Sequence, residues 1–367
     1  MANQKVITDR TVALLNQMDG LFDGFFEWMK GQYDHESGGF FYARSSRSLN
    51  QLPDIESSSQ ALNILERVGL LEGWEAAKKE KAIRFFQNKQ DSASGYFYEE
   101  NPDMRDDDVM VGRALSYSVG ALRKLGGAPL YPLPQKMNTM PEYMKSPDTY
   151  EAWLNAMPLT NSWRGCDRLC NSGPYIGQLP KDEQKEYLKR AFDFFARIQD
   201  PETGLWGAGS GYVRISGSFK LETFYSRYGM PMPRGEVMYR SMLRILREET
   251  ARDMCYIRNP INLLGYMRPE IPPEEFEEIL EITIRNMGRL RQADGGFSRE
   301  LGHSPAATNV AQVKEGEFYP EMPKAVPLGL GLAEGDMNAG TQALLIRSFC
   351  YDMAGLVPPQ LDTSSFH

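Results

Sequence analysis

The chain has little cysteine and no excess of positive charge, and each shortage excludes a class of protein. It has 4 Cys among 367 residues, which is too few for a disulfide framework and is typical of a reducing compartment. Lys and Arg together number 41 against 49 Asp and Glu, giving a net charge of -8. Nucleic-acid binding needs a basic face, so this balance argues against a nucleic-acid partner.

Long apolar runs are also missing. No stretch of roughly 18 apolar residues occurs, so we expect no membrane-spanning helix. The segment "MANQKVITDRTVALLNQ" lacks the apolar region of a secretory signal. With 41% hydrophobic residues, the chain can still build a sizeable core. We therefore expect a globular, cytoplasmic protein, whose oligomeric state the sequence does not determine.

One short pattern recurs along the chain: Gln or Tyr, Asp, a short polar stretch, Gly and then an aromatic residue. Its copies are "GQYDHESGGFFY", "QNKQDSASGYFY", "IQDPETGLWG" and "RQADGGFS", anchored at Gly39, Gly95, Gly204 and Gly296. The spacings between these glycines are 56, 109 and 92 residues. Because the second spacing is nearly twice the first, we expect a degenerate copy around "SPDTYEAWLNAMPLTNSWRG". Such periods indicate a repeat architecture.

Helical segments of two kinds lie between the repeats. "PPEEFEEILEITIRNMGRLRQ" and "KDEQKEYLKRAFDFFARIQD" are amphipathic and run into a glycine motif. Less charged segments such as "DMNAGTQALLIRSFCYDMAGL" alternate with them, as expected of helices buried on most sides. About twelve helices in hairpins predict an all-α fold, an (α/α)6 toroid formed by residues 1–367 as a single domain. We expect the buried helices to begin near Asp54, Asp106, Gly165, Ser216, Asp253 and Asp336.

The turn "RQADGGFS", which closes an outer helix, resembles the repeat of terpenoid cyclases and protein prenyltransferase β subunits. Through its copies, the resemblance covers most of the chain. It implies the toroid fold, which these enzymes share with glycoside hydrolases and polysaccharide lyases. It does not fix the activity, because one fold hosts many functions.

A triple aspartate looks similar to the acid motif of the class II terpene cyclases. Those enzymes protonate their substrates with an Asp-x-Asp-Asp motif at a helix start, and "RDDDVM" places Asp106, Asp107 and Asp108 at such a start. Packed carboxylates raise one another's pKa, which suits a general acid. The alternative is that these residues only cap the helix, by accepting hydrogen bonds from its first N–H groups.

The zinc site of the prenyltransferases is incomplete in this sequence. The resemblance implies zinc ligands in an Asp-x-Cys-Tyr motif and a later histidine. "RDMCYI" supplies Asp253, Cys255 and Tyr256, but the position of the histidine falls on Ser348. A catalytic zinc needs three protein ligands. We therefore expect no bound metal, and nothing in the sequence implies another cofactor.

The starts of the buried helices should lie at one rim, because equivalent ends of parallel inner helices point to the same side. The side chains expected there combine carboxylates, cations, amides and aromatic rings, a mixture typical of a sugar site. The candidate catalytic residues are Asp107, Asp108, Asp167 and Tyr225. The candidate substrate-binding residues are Asp54, Trp163, Arg164, Lys220, Tyr256, Asn259 and Trp206.

This mixture favours a carbohydrate-active enzyme, a lyase or hydrolase acting on an oligosaccharide, with uronate-containing chains included. Lys220 or Arg164 would neutralise a uronate, and Tyr225 or Tyr256 would be the base. Two alternatives remain open: an isoprenoid enzyme related to terpene cyclases or prenyltransferases, and a non-catalytic toroid that binds a ligand or a partner. An aromatic, dry cavity would indicate the isoprenoid enzyme, and an absence of converging carboxylates would indicate the binding protein.

Overall fold

The computed structural model describes residues 7–49, 51–134, 140–308 and 324–366, without the side chains of residues 108 and 109. Within these ranges the regular structure is helical, and the extended segments form only isolated β-bridges. The predicted all-α class is confirmed, and the order of the helices agrees with the predicted (α/α)6 toroid. In chain order the helices are α1 (Asp9–Gly20), α2 (Phe25–Gln32), α3 (Ile55–Arg67), α4 (Ala76–Asn88), α5 (Pro102–Arg105), α6 (Asp108–Leu125), α7 (Pro147–Ala156), α8 (Ser162–Cys170), α9 (Gly173–Ile176), α10 (Lys181–Ile198), α11 (Gly211–Arg227), α12 (Gly235–Glu248), α13 (Met254–Met267), α14 (Pro273–Leu290) and α15 (Met337–Ala354).

The chain divides into two compact units. Unit 1 consists of Met1–Val12, Lys136–Thr283 and Phe349–Leu356, and unit 2 of Ala13–Gln135, Ile284–Ser348 and Val357–His367. Helices α1, α14 and α15 each contribute residues to both units. The expectation that residues 1–367 form a single domain stays a prediction.

In unit 1, amphipathic and largely buried helices alternate. The buried residues of α10 (Gln184, Tyr187, Ala191, Phe194 and Phe195) recur at three- and four-residue steps on one face. By contrast, 11 of the 17 residues of α11 are buried. Helix α11 packs against α8 and α13. This is the alternation of wet and dry helices that the sequence predicts.

Unit 2 shows the same contrast. Only Ala82, Phe85 and Phe86 of α4 are buried, whereas α3 buries 9 of its 13 residues and packs against α6.

No helix in the described ranges is both long and apolar enough to cross a bilayer.

The glycine motifs all form the same kind of turn. The glycine with a left-handed backbone is Gly38, Gly95, Gly204 or Gly295, with φ of 83°, 74°, 69° and 93° respectively. The aromatic residue two positions later is buried in every copy. In the first and last copies the left-handed residue precedes the expected anchor, because Gly39 and Gly296 serve close packing instead. A Cβ at these two positions would come within 2.6 Å of the Phe85 and Trp28 rings respectively.

An aspartate fixes each turn by accepting from a backbone N–H two or three residues later. This Asx geometry explains why aspartate belongs to the motif. The pairs are Asp34 with Ser37 at 3.0 Å, Asp91 with Ser94 at 2.7 Å, Asp200 with Glu202 at 2.8 Å and Asp294 with Gly296 at 3.0 Å.

Candidate functional site

The buried helices begin with polar side chains that accept hydrogen bonds from their own first turns. Aspartate at a helix start is favoured by the free N–H groups and by the helix dipole. Capping therefore accounts for the aspartates that the sequence places at the rim, but it leaves open what else they do. The capping residues are Asn161 (α8), Ser210 (α11) and Asp253 (α13) in unit 1, and Asp54 (α3), Asp107 (α6) and Asp336 (α15) in unit 2.

Two of these starts differ from the prediction. Helix α8 begins at Ser162 rather than near Gly165, and α11 begins at Gly211 rather than near Ser216. Both expected positions lie inside helices. A Cβ at position 165 would come within 2.6 Å of the Pro158 carbonyl oxygen. Gly165 is therefore needed because the segment at Pro158 packs closely against α8, and it does not mark the start of the helix.

Asp54 and Glu99 form a buried carboxyl pair at the start of α3. Asp54 Oδ1 accepts from the N–H of Ser57 at 2.7 Å, and Glu99 Oε1 accepts from the N–H of Ile55 at 2.6 Å. Burial, together with the charge of Glu99, raises the pKa of Asp54 to about 7. Burial also raises the pKa of Glu99, although Lys89 opposes that rise. Near neutral pH, Asp54 is thus a carboxylic acid that still holds a proton much of the time.

Asp336 is a second buried acid of unit 2. Its Oδ1 accepts from the N–H of Ala339 at 2.8 Å, and its Oδ2 accepts from the N–H of Arg299 and the hydroxyl of Ser304, both at 2.7 Å. Burial raises the pKa of Asp336 to about 6, and these donors oppose the rise. Because the donors favour the carboxylate form, Asp336 holds a proton at neutral pH less well than Asp54 does.

A polar network joins the facing sides of α3 and α6. Glu56 forms an ion pair with Arg113 and accepts from Gln60 Nε2 at 3.0 Å. The Tyr117 hydroxyl hydrogen-bonds to Arg113 and Gln60, and its pKa is raised, first by burial and then by the charge of Glu56. The sequence-based site missed Arg113 and Tyr117. Their spacing of one helical turn, just after the triple aspartate, is the local pattern that could have indicated them.

The triple aspartate lies at the start of α6 as predicted. Asp106 is exposed, whereas Asp107 is buried and accepts from the N–H of Met110 at 3.2 Å. The side chain of Asp108 lies outside the described part of the chain. A catalytic role for Asp107 and Asp108 stays a prediction.

In unit 1, four of the predicted residues lie together around an indole ring. Lys220 Nζ is 2.8 Å from Asp167 Oδ1 and 5.2 Å from the centroid of the Trp163 ring. The Arg164 guanidinium is 5.4 Å from the same ring. The structure thus places the Lys220 ammonium beside the Asp167 carboxylate.

Two further predicted residues, Trp206 and Tyr225, belong to the apolar interior of unit 1. Trp206 is completely buried, and its Nε1 donates to the carbonyl of Phe195 at 2.9 Å. The ring of Tyr225 lies 5.2 Å from that of Phe192 and 6.2 Å from that of Trp206. Burial raises the pKa of Tyr225 well above its usual value, which disfavours the phenolate form that a catalytic base requires.

The remaining predicted residues, Tyr256 and Asn259, lie on α13. Tyr256 stacks on Tyr212 with 5.3 Å between ring centroids and 7° between planes. Asn259 Nδ2 donates to Ser216 Oγ at 2.9 Å. Unit 1 thus holds its own group of predicted residues, and Asp54 and Asp107 belong to unit 2. Convergence of the whole set on one cavity stays a prediction.

The residues that resemble zinc ligands have structural partners. Asp253 accepts from the N–H of Cys255 at 2.7 Å, and the Ser348 hydroxyl donates to the Leu344 carbonyl at 2.9 Å. In the described ranges, no three His, Cys, Asp or Glu side chains are grouped so as to hold a metal ion.

The chain matches no protein-family model and no curated protein, but it does match solved structures. A variant of the type II terpene cyclase MstE from Scytonema, in complex with its substrate geranylgeranyl dihydroxybenzoate, is 12% identical over 94% of this chain and 100% of its own, with a TM-score of 0.44. Another variant without ligand is 11% identical over 93% and 99%, with a TM-score of 0.44. A protein from Actinoplanes is 12% identical over 94% and 99%, with a TM-score of 0.41. The chain is similar to these type II terpene cyclase structures.

The carbohydrate interpretation is wrong. In unit 1, Lys220, the expected uronate neutraliser, is paired with Asp167, and Tyr225, the expected base, is buried with a raised pKa. The oligosaccharide substrate and the lyase and hydrolase activities are withdrawn with it.

Proposed function

We propose that the chain is an isoprenoid enzyme of the terpene-cyclase type, which starts a ring closure by protonating a carbon–carbon double bond. The observation that carries this proposal is the buried acid at the start of α3, since the pKa of Asp54 is raised to about 7. A carboxyl group that keeps its proton near the working pH can deliver it as a general acid. The glycine–aromatic repeats support the same class of enzyme.

The chemistry needs no oxidant and no second substrate. The O–H bond of Asp54 breaks as its proton adds to one carbon of a terminal alkene, which leaves a tertiary cation. The electron pair of the next alkene then closes a ring, and a proton is finally lost from the last cation. The product is an isomer of the substrate, and one proton is returned for the one consumed.

The triple aspartate offers a second acid. Asp107 is buried at the start of α6, as Asp54 is at the start of α3. Its place in "RDDDVM" resembles the motif that performs this step in class II cyclases. A direct comparison of variants at the two positions decides between them.

In unit 2, which holds Asp54, the substrate would be bound by groups of the same unit. Arg113 and Tyr117 are partly exposed cationic and phenolic groups suited to the polar end of an isoprenoid. Unit 1 has candidate binding residues of its own: the faces of Trp163 and Tyr256 suit an alkene chain or its cation, and Arg164 and Asn259 suit polar groups. The cysteines are free thiols, in keeping with the expected cytoplasmic location.

The test is incubation of the purified protein with geranylgeranyl dihydroxybenzoate, the compound bound in the similar structure, and with unmodified polyprenols. We expect a product of unchanged mass whose NMR spectrum shows fewer alkene carbons. Asp54→Asn should lower the rate by about 100-fold or more, whereas Asp91→Asn, at an exposed turn, should not. Loss of activity in Asp107→Asn alone would move the acid to α6. Absence of any cyclised product from the folded protein would overturn the proposal.

A further inference from the structure

Lys89 lies between two glutamates of very different exposure. It follows directly after α4, and its Nζ is 3.4 Å from Glu99 Oε2 and 3.5 Å from Glu100 Oε1. The side chain of Lys89 is 6% exposed, that of Glu99 12% and that of Glu100 63%. The buried end of this arrangement is therefore a lysine–glutamate pair, and the second glutamate is solvated.

The buried glutamate shares the start of α3 with Asp54. Their carboxyl groups accept from backbone N–H groups two residues apart, those of Ile55 and Ser57. When two carboxyl groups lie close together away from water, ionising both costs free energy, because their negative charges repel each other and neither is solvated. One of them therefore retains a proton. The lysine contacts Glu99, which favours the charged form of Glu99 and leaves the proton to Asp54.

We propose that Glu99 is a positioning residue, which as an anion held by Lys89 keeps the catalytic proton on Asp54. Its role in catalysis rests on the proposed function, but its effect on Asp54 does not. The pKa of Asp54 is raised first by burial and next by Glu99, in agreement with this arrangement.

The other charged groups around the pair contribute less than Glu99 does; Glu56 also raises the pKa of Asp54, but it is the smaller cause. Glu56, next to Asp54 on α3, is paired with Arg113 of α6, so much of its charge is compensated. Arg105 Nε donates to the backbone carbonyl of Glu99 at 3.4 Å, and Arg105 is exposed. Glu100 is solvated, and water screens its charge. Glu56 is as little exposed as Glu99, at 13% against 12%, but it is Glu99 that accepts from the N–H of Ile55 at the helix start that Asp54 caps, and its charge raises the pKa of Asp54 more than that of Glu56 does.

The test is a carboxyl 13C NMR titration of protein labelled at aspartate, with Asp54→Asn to assign the resonance. In the wild type we expect one aspartate to titrate near pH 7. Glu99→Gln keeps the size and the acceptor for Ile55 but removes the charge, and it should lower this midpoint by about one pH unit or more. Glu100→Gln, the matched control on the same lysine, should shift it by less than about 0.2 units.

An unchanged Asp54 midpoint in folded Glu99→Gln would overturn the proposal. If that variant does not fold, Lys89→Met provides the second test. Without the lysine cation, Glu99 competes with Asp54 for the proton. The Asp54 resonance should then titrate over two steps. A single step with an unchanged midpoint would also overturn the proposal. In an active enzyme, Glu99→Gln should move the alkaline limb of the pH–rate profile to lower pH, by the same number of pH units as the Asp54 midpoint moves in the NMR titration. A shifted resonance without cyclase activity would leave the proton arrangement standing and refute only the proposed function.

Discussion

Gly217 of α11 lies directly against Ser162 at the start of α8, so closely that a Cβ at position 217 would collide with the serine hydroxyl and backbone. These two helices therefore approach each other at a position where only glycine fits.

Gly217→Ala should destabilise unit 1 for this reason. We expect the free energy of unfolding to fall by about 1–3 kcal/mol, as for other overpacked sites, measured by urea unfolding followed by circular dichroism. Gly120→Ala is the matched control, because it also lies in a helix but has open space around its Cβ position. It should be neutral or stabilising by up to about 1 kcal/mol. Equal effects of the two variants would contradict the close approach of α8 and α11.

Stability should fall as the pH rises from about 5 to about 8. The pKa of Asp54 is raised to about 7 and that of Asp336 to about 6, both above the value of about 3.9 expected in the unfolded chain. The folded state thus binds more protons than the unfolded state over this range, and raising the pH removes that advantage. Urea unfolding at several pH values measures it.

Asp54→Asn should make that dependence shallower. Asp200 is a useful contrast, because the hydrogen bond from Arg214 lowers its pKa to about 2. Because its pKa is lowered on folding, Asp200 stabilises the folded state at pH values above about 4, and this contribution to the free energy of unfolding is lost as the pH falls below that value. A stability that rises between pH 5 and 8 in the wild type would refute the burial of protonated carboxyls in unit 2.

Tyr225 should prove to be a packing residue. Tyr225→Phe keeps the ring and should change stability by less than about 1 kcal/mol, with cyclase turnover retained within a few fold. Tyr225→Ala should cost about 3–5 kcal/mol, because it empties a space among Phe192, Phe195 and Trp206. Loss of turnover in a stable Tyr225→Phe would instead restore a chemical role for the hydroxyl.

The ion pair of Lys220 and Asp167 should contribute little to stability. The two side chains are 29% and 36% exposed, so water screens their attraction. A double-mutant cycle of Lys220→Met and Asp167→Asn should give a coupling energy of about 0.2–1 kcal/mol, measured by thermal or urea unfolding. A coupling above about 2 kcal/mol would show that this pair is far better shielded from water than its exposure indicates.

The turns and the order of helices could be predicted because both are encoded locally. An aspartate and a glycine a few residues apart specify the turn, and apolar spacing specifies each helix. The start of α11 could not be placed in this way, since Ser210, Ser216 and Ser218 can all cap a helix. The structure selects Ser210 because Gly217 must lie inside the helix, against α8, and that requirement comes from tertiary packing.

The errors at the site have the same origin. Arg113 is stabilised by Glu56, a residue 57 positions away in the chain, and no local pattern reveals that pairing. Likewise, Lys220 looks available for a substrate until its contact with Asp167 is known. The sequence shows which charges are near helix starts, whereas their partners depend on how the helices pack.

The aspartate turns have a consequence for folding. Three of them close by a hydrogen bond to the aspartate carbonyl from the glycine N–H four residues later, in the pairs Asp34–Gly38, Asp91–Gly95 and Asp200–Gly204 at 2.9, 2.9 and 2.8 Å. So short a loop loses little chain entropy on closing, and contacts this local form early. Each turn can therefore be in place before the helices on either side of it have met, and it then directs the chain back toward the helix it has just left.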